Sequence, residues 1–320
     1  MKKEYRWFCA GALCLCLWFI AAWAVGFRRN EEEKIPLFVT SDAGTEKAAG
    51  QEGKIWSVAF AALVSPQESY DKYRDLIAYL EERMGGHIEI VLKQTYDEVN
   101  DMLAAGEVDF GFICSLSYVI GKDEGAIVGI ATPVIRGEKL YRSYTICRKG
   151  EGIETLQDLK GRVFAFTDPL SYTGHLTTLS LLWEMGIGPE EYFTTTYYTY
   201  SHDYSIRAVH LGIADAASVD GLIYDETAAK DPDAVSNLMV LYDSDKAGMP
   251  PVVASGKTDE DSREAFQKIL FAMDKEEEGR RILAALGIDR YEEVEDADYD
   301  IIRRAQAALP ESWIKQEERP

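Results

Sequence analysis

Positive charge is scarce in this chain. Its 34 Lys and Arg residues stand against 55 Asp and Glu, a net charge of −21 over 320 residues. That balance argues against nucleic acid and an anionic membrane surface as partners of the soluble part. It also requires any bound anion to be held by local N–H and O–H donors, because the general field repels it. Histidine is equally thin: four residues with no clustered ligand spacing single out no metal site, and no cofactor is called for. Cysteine is limited to five. Cys9, Cys14 and Cys16 lie near the N-terminus, where Leu13 and Leu15 stand in place of the small residues that precede an acylated cysteine. Cys114 and Cys147 each fall in a strand-like run, where a buried thiol is the ordinary reading. A disulfide between them is compatible with export, and spacing alone leaves the pairing open. No internal repeat recurs at a fixed short period.

One long apolar run is present. Lys2, Lys3 and Arg6 precede an uncharged stretch from Trp7 to Phe27, closed by Arg28 and Arg29. Twenty-one residues suffice to span a bilayer, which favours an uncleaved signal-anchor over residues 1–29. Ala22-Trp23-Ala24 also resembles a small-x-small cleavage site, so a removable signal peptide is the alternative. Either way the flanking charge predicts a cytoplasmic start and an extracytoplasmic body. Residues 30–53 are charged, small and poorly periodic, and read as a flexible tether.

From Lys54 onward strand and helix patterns alternate. Ile55 to Phe60 reads as a strand, Tyr70 to Met84 as a helix, His87 to Leu92 as a strand, Tyr96 to Ala105 as a helix and Val108 to Cys114 as a strand. This order predicts a mainly parallel sheet flanked by helices, with ligands at the carboxyl ends of its strands. A second β/α unit follows, with strands at 141–148, 162–166, 193–200 and 214–219, and helices at 153–159, 176–185 and 204–211. Beyond Pro250-Pro251 and a short strand, the chain turns helical over 261–286 and 298–309, and these helices are expected to pack on the first unit. The domains so predicted are residues 54–143 with 246–320 for one lobe and 144–245 for the other.

The most informative stretch runs from Asp168 to His175, joining an apolar strand to a helix. A Ser/Thr/Gly turn that opens a helix presents hydroxyls and free N–H groups at the positive end of the helix dipole, a ready oxyanion site. The plain alternative is that Ser171 or Thr173 caps the helix.

Several further pieces occur in order: Tyr70-x-x-Tyr73, Thr95-Tyr96-Asp97-Glu98, Gly106-Glu107-Val108-Asp109-Phe110-Gly111, Tyr141-Arg142-Ser143, Phe166-Thr167-Asp168-Pro169, Ser171-Tyr172-Thr173-Gly174 and Ser201-His202-Asp203. From about Trp56 to Leu286 the chain resembles the PhnD-like phosphate, phosphite and phosphonate-binding proteins of ABC importers. The resemblance implies a type II periplasmic-binding-protein fold, two α/β lobes closing on ligand about a hinge. It also implies an oxyanion seated on the 171–174 turn. Ser171 and Thr173 would donate hydroxyls, and the N–H groups of Tyr172, Thr173 and Gly174 would complete the cradle. His202 matches a family position that contacts the oxyanion, and Tyr96 and Tyr141 match tyrosines that close over the ligand. Asp220 lies in the region where aminophosphonate binders place an acid; a loop aspartate after a strand is otherwise a turn former. The family pattern Ser-Thr-Ser-Gly-Tyr is altered here to Ser171-Tyr172-Thr173-Gly174-His175, so Tyr172 would narrow the pocket or replace a hydroxyl contact. His175 reads as a surface or cap residue.

The leading expectation is a non-enzymatic, extracytoplasmic solute-binding protein, monomeric, delivering a phosphonate, phosphite or phosphate to an ABC permease and tied to the membrane by its N-terminal helix. A membrane-anchored sensor of the same fold is the second reading. A hydrolase using Ser171 with His202 or His175 is the third; no Gly-x-Ser-x-Gly elbow supports it.

Overall fold

The computed structural model describes residues 54–61 and 66–314. The expected N-terminal anchor and tether lie outside these residues. Among the described residues no helix is long and apolar enough to cross a membrane.

Thirteen strands form in chain order: β1 (Ile55–Ala61), β2 (His87–Lys93), β3 (Phe110–Phe112), β4 (Ile127–Val134), β5 (Leu140–Tyr141), β6 (Ser143–Arg148), β7 (Val163–Phe166), β8 (Thr195–Tyr198), β9 (Ala216–Asp220), β10 (Leu238–Asp243), β11 (Ala247–Gly248), β12 (Val252–Ser255) and β13 (Arg290–Glu292). They build a six-stranded sheet, β13-β4-β12-β3-β1-β2, a five-stranded sheet, β10-β6-β9-β7-β8, and a two-stranded ribbon, β11-β5. The expected strand over 141–148 is thus two strands parted at Arg142, the first in the ribbon and the second in the five-stranded sheet.

The sheets are mixed, which corrects the expectation of mainly parallel ones. In the first, only β3-β1-β2 is parallel, and β12 pairs antiparallel with both β3 and β4. In the second, β9-β7-β8 is parallel while β6 and β10 run antiparallel. The cause is topological. Parallel neighbours need a helical crossover, and β12 returns straight from the ribbon with none.

Among the described residues the α-helices are α1 (Pro66–Met84), α2 (Tyr96–Ala105), α3 (Ser115–Asp123), α4 (Thr177–Glu184), α5 (Pro189–Tyr192), α6 (His202–His210), α7 (Gly221–Lys230), α8 (Glu260–Ala272), α9 (Glu277–Leu286), α10 (Asp300–Ala308) and α11 (Glu311–Ile314). Helix α2 shows how local sequence fixes an element near the site. Thr95 and Glu98 form a reciprocal capping box, and Gly106 closes the helix at φ 71°. Its buried face, Tyr96, Val99, Asn100 and Leu103, has helical spacing. The expected helix over 261–286 is interrupted by a 3-10 turn at Met273–Lys275. Phe266 of α8 stacks on Phe110 of β3 with ring centroids 3.9 Å apart, so this helix packs on the first sheet as expected.

Each sheet has its own apolar core. Leu76, Leu80, Phe110 and Phe266 lie in the first, and Ile146, Ala165, Val209 and Val219 in the second. A further cluster runs from Tyr96, Leu103 and Leu116 through Tyr141 and Tyr172 to Phe164 and Leu179, joining the two halves.

Candidate functional site

The site grows out of the segment after β7. Asp168 turns the chain by accepting from Leu170 N–H at 2.8 Å, and its carbonyl accepts from Ser171 N–H at 2.9 Å. Ser171 then caps a wide π turn over Tyr172–Leu176, its Oγ accepting from Gly174 N–H at 2.9 Å. Ser171 is therefore a cap, as the plain reading of this turn expects. The N–H groups of Tyr172 and Gly174 are not free for a ligand, because Tyr172 N–H donates to Cys114 Sγ at 3.4 Å. That corrects two of the three expected backbone donors.

Gly174 is required by close approach. A Cβ there would stand 2.4 Å from both Cβ and Oγ1 of Thr167, which no side chain tolerates. The Thr173 carbonyl is fastened by Ser143 Oγ at 2.6 Å and Ser218 Oγ at 2.7 Å. With its backbone held, Thr173 keeps a buried Oγ1 that has no partner. Of the two roles expected for Tyr172, narrowing the pocket and replacing a hydroxyl contact, its surroundings fit the first. Its hydroxyl is spent on the Asp245 carbonyl at 3.2 Å and its ring lies 6.0 Å from that of Tyr141, so it is wall and not donor.

His202 is the first residue of α6 and fully buried. Its Nδ1 takes the N–H of Asp220 at 3.1 Å. A backbone N–H can only donate, so Nδ1 is unprotonated and the ring proton sits on Nε2. Burial pushes the imidazole down to about 3, keeping it neutral, and Nε2–H is a buried donor without an acceptor. Asp220 ends β9 and caps α7 by accepting from Leu222 N–H at 2.7 Å. Burial raises its carboxyl to about 7, against the opposing pull of backbone N–H groups and Lys72.

From the other side come Tyr96, which opens α2, and Tyr141 in the ribbon. Both hydroxyls are buried and unpartnered. Burial lifts both phenols well above their ordinary range, so each stays a donor at neutral pH. His175 lies behind the turn and not at the surface. It bonds the Pro169 carbonyl through Nδ1 at 2.8 Å and the Tyr198 hydroxyl through Nε2 at 3.0 Å.

Short links gather these groups. Asp220 N–H meets His202, Thr167 N–H meets the Gly174 carbonyl, Tyr96 N–H meets Asp168 and the Tyr172 ring meets Tyr141. The structure thus brings together all eight residues singled out from sequence. Four hold unsatisfied neutral donors: Tyr96, Tyr141, Thr173 and His202. Each such buried orphan costs roughly 1–3 kcal/mol unless something accepts from it. Sequence reasoning missed Cys114 and Asp168 as contacts across the cleft, and Ser143 and Ser218 as supports beneath Thr173. The Asp-Pro of the turn was a usable signal for Asp168; nothing local marks the others. A Ser171 nucleophile has no base, since Ser171 Oγ serves Gly174 and the two buried histidines bond elsewhere.

Two α/β domains, a two-stranded ribbon and a set of buried, orphaned donors drawn from both domains define a protein of the periplasmic-binding-protein-like fold. The model of the periplasmic phosphonate substrate-binding proteins of ABC transporters matches residues 58–299, and the chain belongs to this family, one of binding proteins and not of enzymes. The phosphate-import protein PhnD of Mycolicibacterium smegmatis is 29% identical over 207 residues, 60% of this chain. That match spans 64% of the relative's own length, just under two thirds. Among solved structures, the binding component of an ABC phosphonate transporter from Pseudomonas aeruginosa superposes with a TM-score of 0.75 at 18% identity, covering 80% of this chain and 86% of that one. PhnD1 from Prochlorococcus marinus, in complex with methylphosphonate, gives 0.72 at 18% identity, covering 79% and 97%. Cys114 and Cys147 are both free and buried, which answers the disulfide question.

Proposed function

We propose that this protein is an extracytoplasmic solute-binding protein that captures a phosphonate- or phosphate-type oxyanion in the cleft and presents it to an ABC permease. The observation that carries the reading is the set of four buried, neutral, unpartnered donors, on Tyr96, Tyr141, Thr173 and His202. A tetrahedral oxyanion has the lone pairs to satisfy all of them at once, and the N-termini of α2, α4 and α6 add a favourable field. Neutral donors suit a chain of strong negative charge, since selectivity then rests on geometry and hydrogen bonding. Asp220, with a carboxyl near its midpoint at neutral pH, would accept from a protonated oxygen or an ammonium of the ligand. The hinge would lie at the β5-β11 ribbon, with residues 54–143 and 246–320 on one side and 144–245 on the other. The relatives named for phosphate import and found with methylphosphonate support the ligand class.

Calorimetry of the full chain with phosphate, phosphite, methylphosphonate and aminoethylphosphonate tests this. Saturable binding of at least one is expected, and silence from all four would sink it.

A further inference from the structure

We propose that the C-terminal arm, α10 and α11, is a positioning element of the binding site: it braces the 172–176 turn and sets where Thr173 stands relative to the donors of the first domain. The inference rests on the binding reading above in taking Thr173 as a ligand contact. It concerns an element beyond the family match, which ends at residue 299.

The arm is rooted in the first domain. Tyr299 is 1% exposed, donates its hydroxyl to the Met249 carbonyl at 2.7 Å and lies with its ring 4.6 Å from that of Tyr118 on α3. A Cβ on Gly248 would stand 2.7 Å from the Tyr299 ring, so β11 of the ribbon carries a glycine where the arm begins. One turn later Arg303 donates to Asp123 of α3 at 3.2 Å, to Asp296 at 2.9 Å and to Asp300 at 3.1 Å.

From that root α10 packs against α3 and β11, and also against the 172–176 turn and α4. Ile302 is fully buried and Leu309 nearly so, and both lie in the apolar cluster that holds Tyr172, Leu176 and Leu179. The far end is fastened too. Trp313 of α11 meets Trp183 of α4 edge-on, with ring centroids 5.7 Å apart at 89°.

The turn has a physical need for this support. A π turn is an uncommon, wide conformation, and this one must leave Thr173 Oγ1 unspent. Ser143 and Ser218 hold the Thr173 carbonyl, and both stand on the second sheet. Those bonds place the turn within its own domain only. Helix α10 touches the turn, the ribbon and α3 together, so it relates Thr173 to the side on which Tyr96 and Tyr141 stand. Close-packed side chains transmit such a placement because they leave no slack to absorb it.

Native-state hydrogen exchange of the ligand-free full chain, resolved by residue, tests the brace. Leu176 N–H is held by the Ser171 carbonyl at 3.0 Å and Thr177 N–H by the Tyr172 carbonyl, so both amides report on the turn. Ile302→Ala leaves a void in the shared cluster and should speed both by about tenfold relative to the amides of β9, with Ile302→Val close to the unsubstituted rate. Trp313→Ala, at the half-buried far end, should give a smaller rise at the same amides, and Trp313→Phe should restore them. No rise at the turn in either alanine variant, or a rise shared equally with β9, would overturn the brace, since a merely structural helix loosens the domain as a whole. Calorimetry carries the result to the ligand: Ile302→Ala should bind methylphosphonate about tenfold more weakly than unsubstituted protein. Equal affinity would overturn the positioning role. Silence from the unsubstituted protein would instead count against the oxyanion reading, with the exchange comparison still deciding the brace.

Discussion

The front and the back of the turn at residues 171–176 are built from the same materials to opposite ends. At the back, His175 has both ring nitrogens engaged, by the Pro169 carbonyl and the Tyr198 hydroxyl. At the front, His202 has one nitrogen engaged and one bare, and Thr173 has a bare hydroxyl. Both histidines are buried and neutral, pushed down to about 4 and about 3 by desolvation. Burial and titration therefore do not distinguish a structural histidine from a binding one. What distinguishes them is whether the protein spends all of the side chain's hydrogen-bonding capacity on itself.

Gly174→Ala should erase the contrast altogether. The new Cβ meets Thr167 within 2.4 Å, so the whole turn must move. A loss of about 1–3 kcal/mol or more in urea unfolding is expected, with oxyanion binding abolished, because both faces share that backbone. Wild-type stability in this variant would show that the turn is looser than described.

His175→Phe and Thr173→Val separate the faces. His175→Phe removes one hydrogen bond from each of two half-buried groups, the Pro169 carbonyl and the Tyr198 hydroxyl, and should lower stability by about 1 kcal/mol, with calorimetric affinity of the folded protein little changed. Thr173→Val removes only an unsatisfied hydroxyl. It should leave stability level or slightly raised while weakening oxyanion binding by about tenfold. If the two variants showed the same profile, the front-and-back distinction would fail.

A further effect is expected on pH dependence. Burial raises the carboxyls of Asp220 to about 7 and Asp168 to about 6. In the unfolded chain both titrate near about 4. Between these values the folded state holds more protons than the unfolded one. The contribution of these two groups to stability is thus full below pH about 4 and lost as pH rises through 6 and 7. Asp220→Asn should flatten the upper part of that decline in unfolding curves taken at pH 5 and pH 8. An unaltered slope would mean that Asp220 titrates normally.

The contrast also explains what the sequence made legible. The 171–174 turn was readable because a Ser/Thr/Gly turn opening a helix is a local pattern with a local cause, whereas Tyr96, Tyr141 and His202 entered through the family resemblance. Helix α3 was invisible, since Cys114 is a poor cap and Leu116, Ser117 and Tyr118 carry no clear period. The part played by Cys114 depends on a partner 58 residues away in the other domain. The choice between the two roles of Tyr172 stayed open for the same reason, as its direction is set by Asp245 and Tyr141, neither a sequence neighbour. Sheet polarity also escaped the local pattern. Whether a strand runs parallel depends on the route by which the chain returns to it.

That route has a consequence for the order of assembly. Strand β12 sits between β3 and β4, yet the ribosome makes it only after all of the second sheet. Until residue 255 has emerged, the first sheet has a gap at its centre, whereas the second, drawn from an uninterrupted stretch, is already complete. The second domain should therefore gain protection first, and the first should stay open until the chain has returned. Pulse-labelling hydrogen exchange on refolding would show it, with β7 and β9 protected before β3 and β4; the reverse order would refute it.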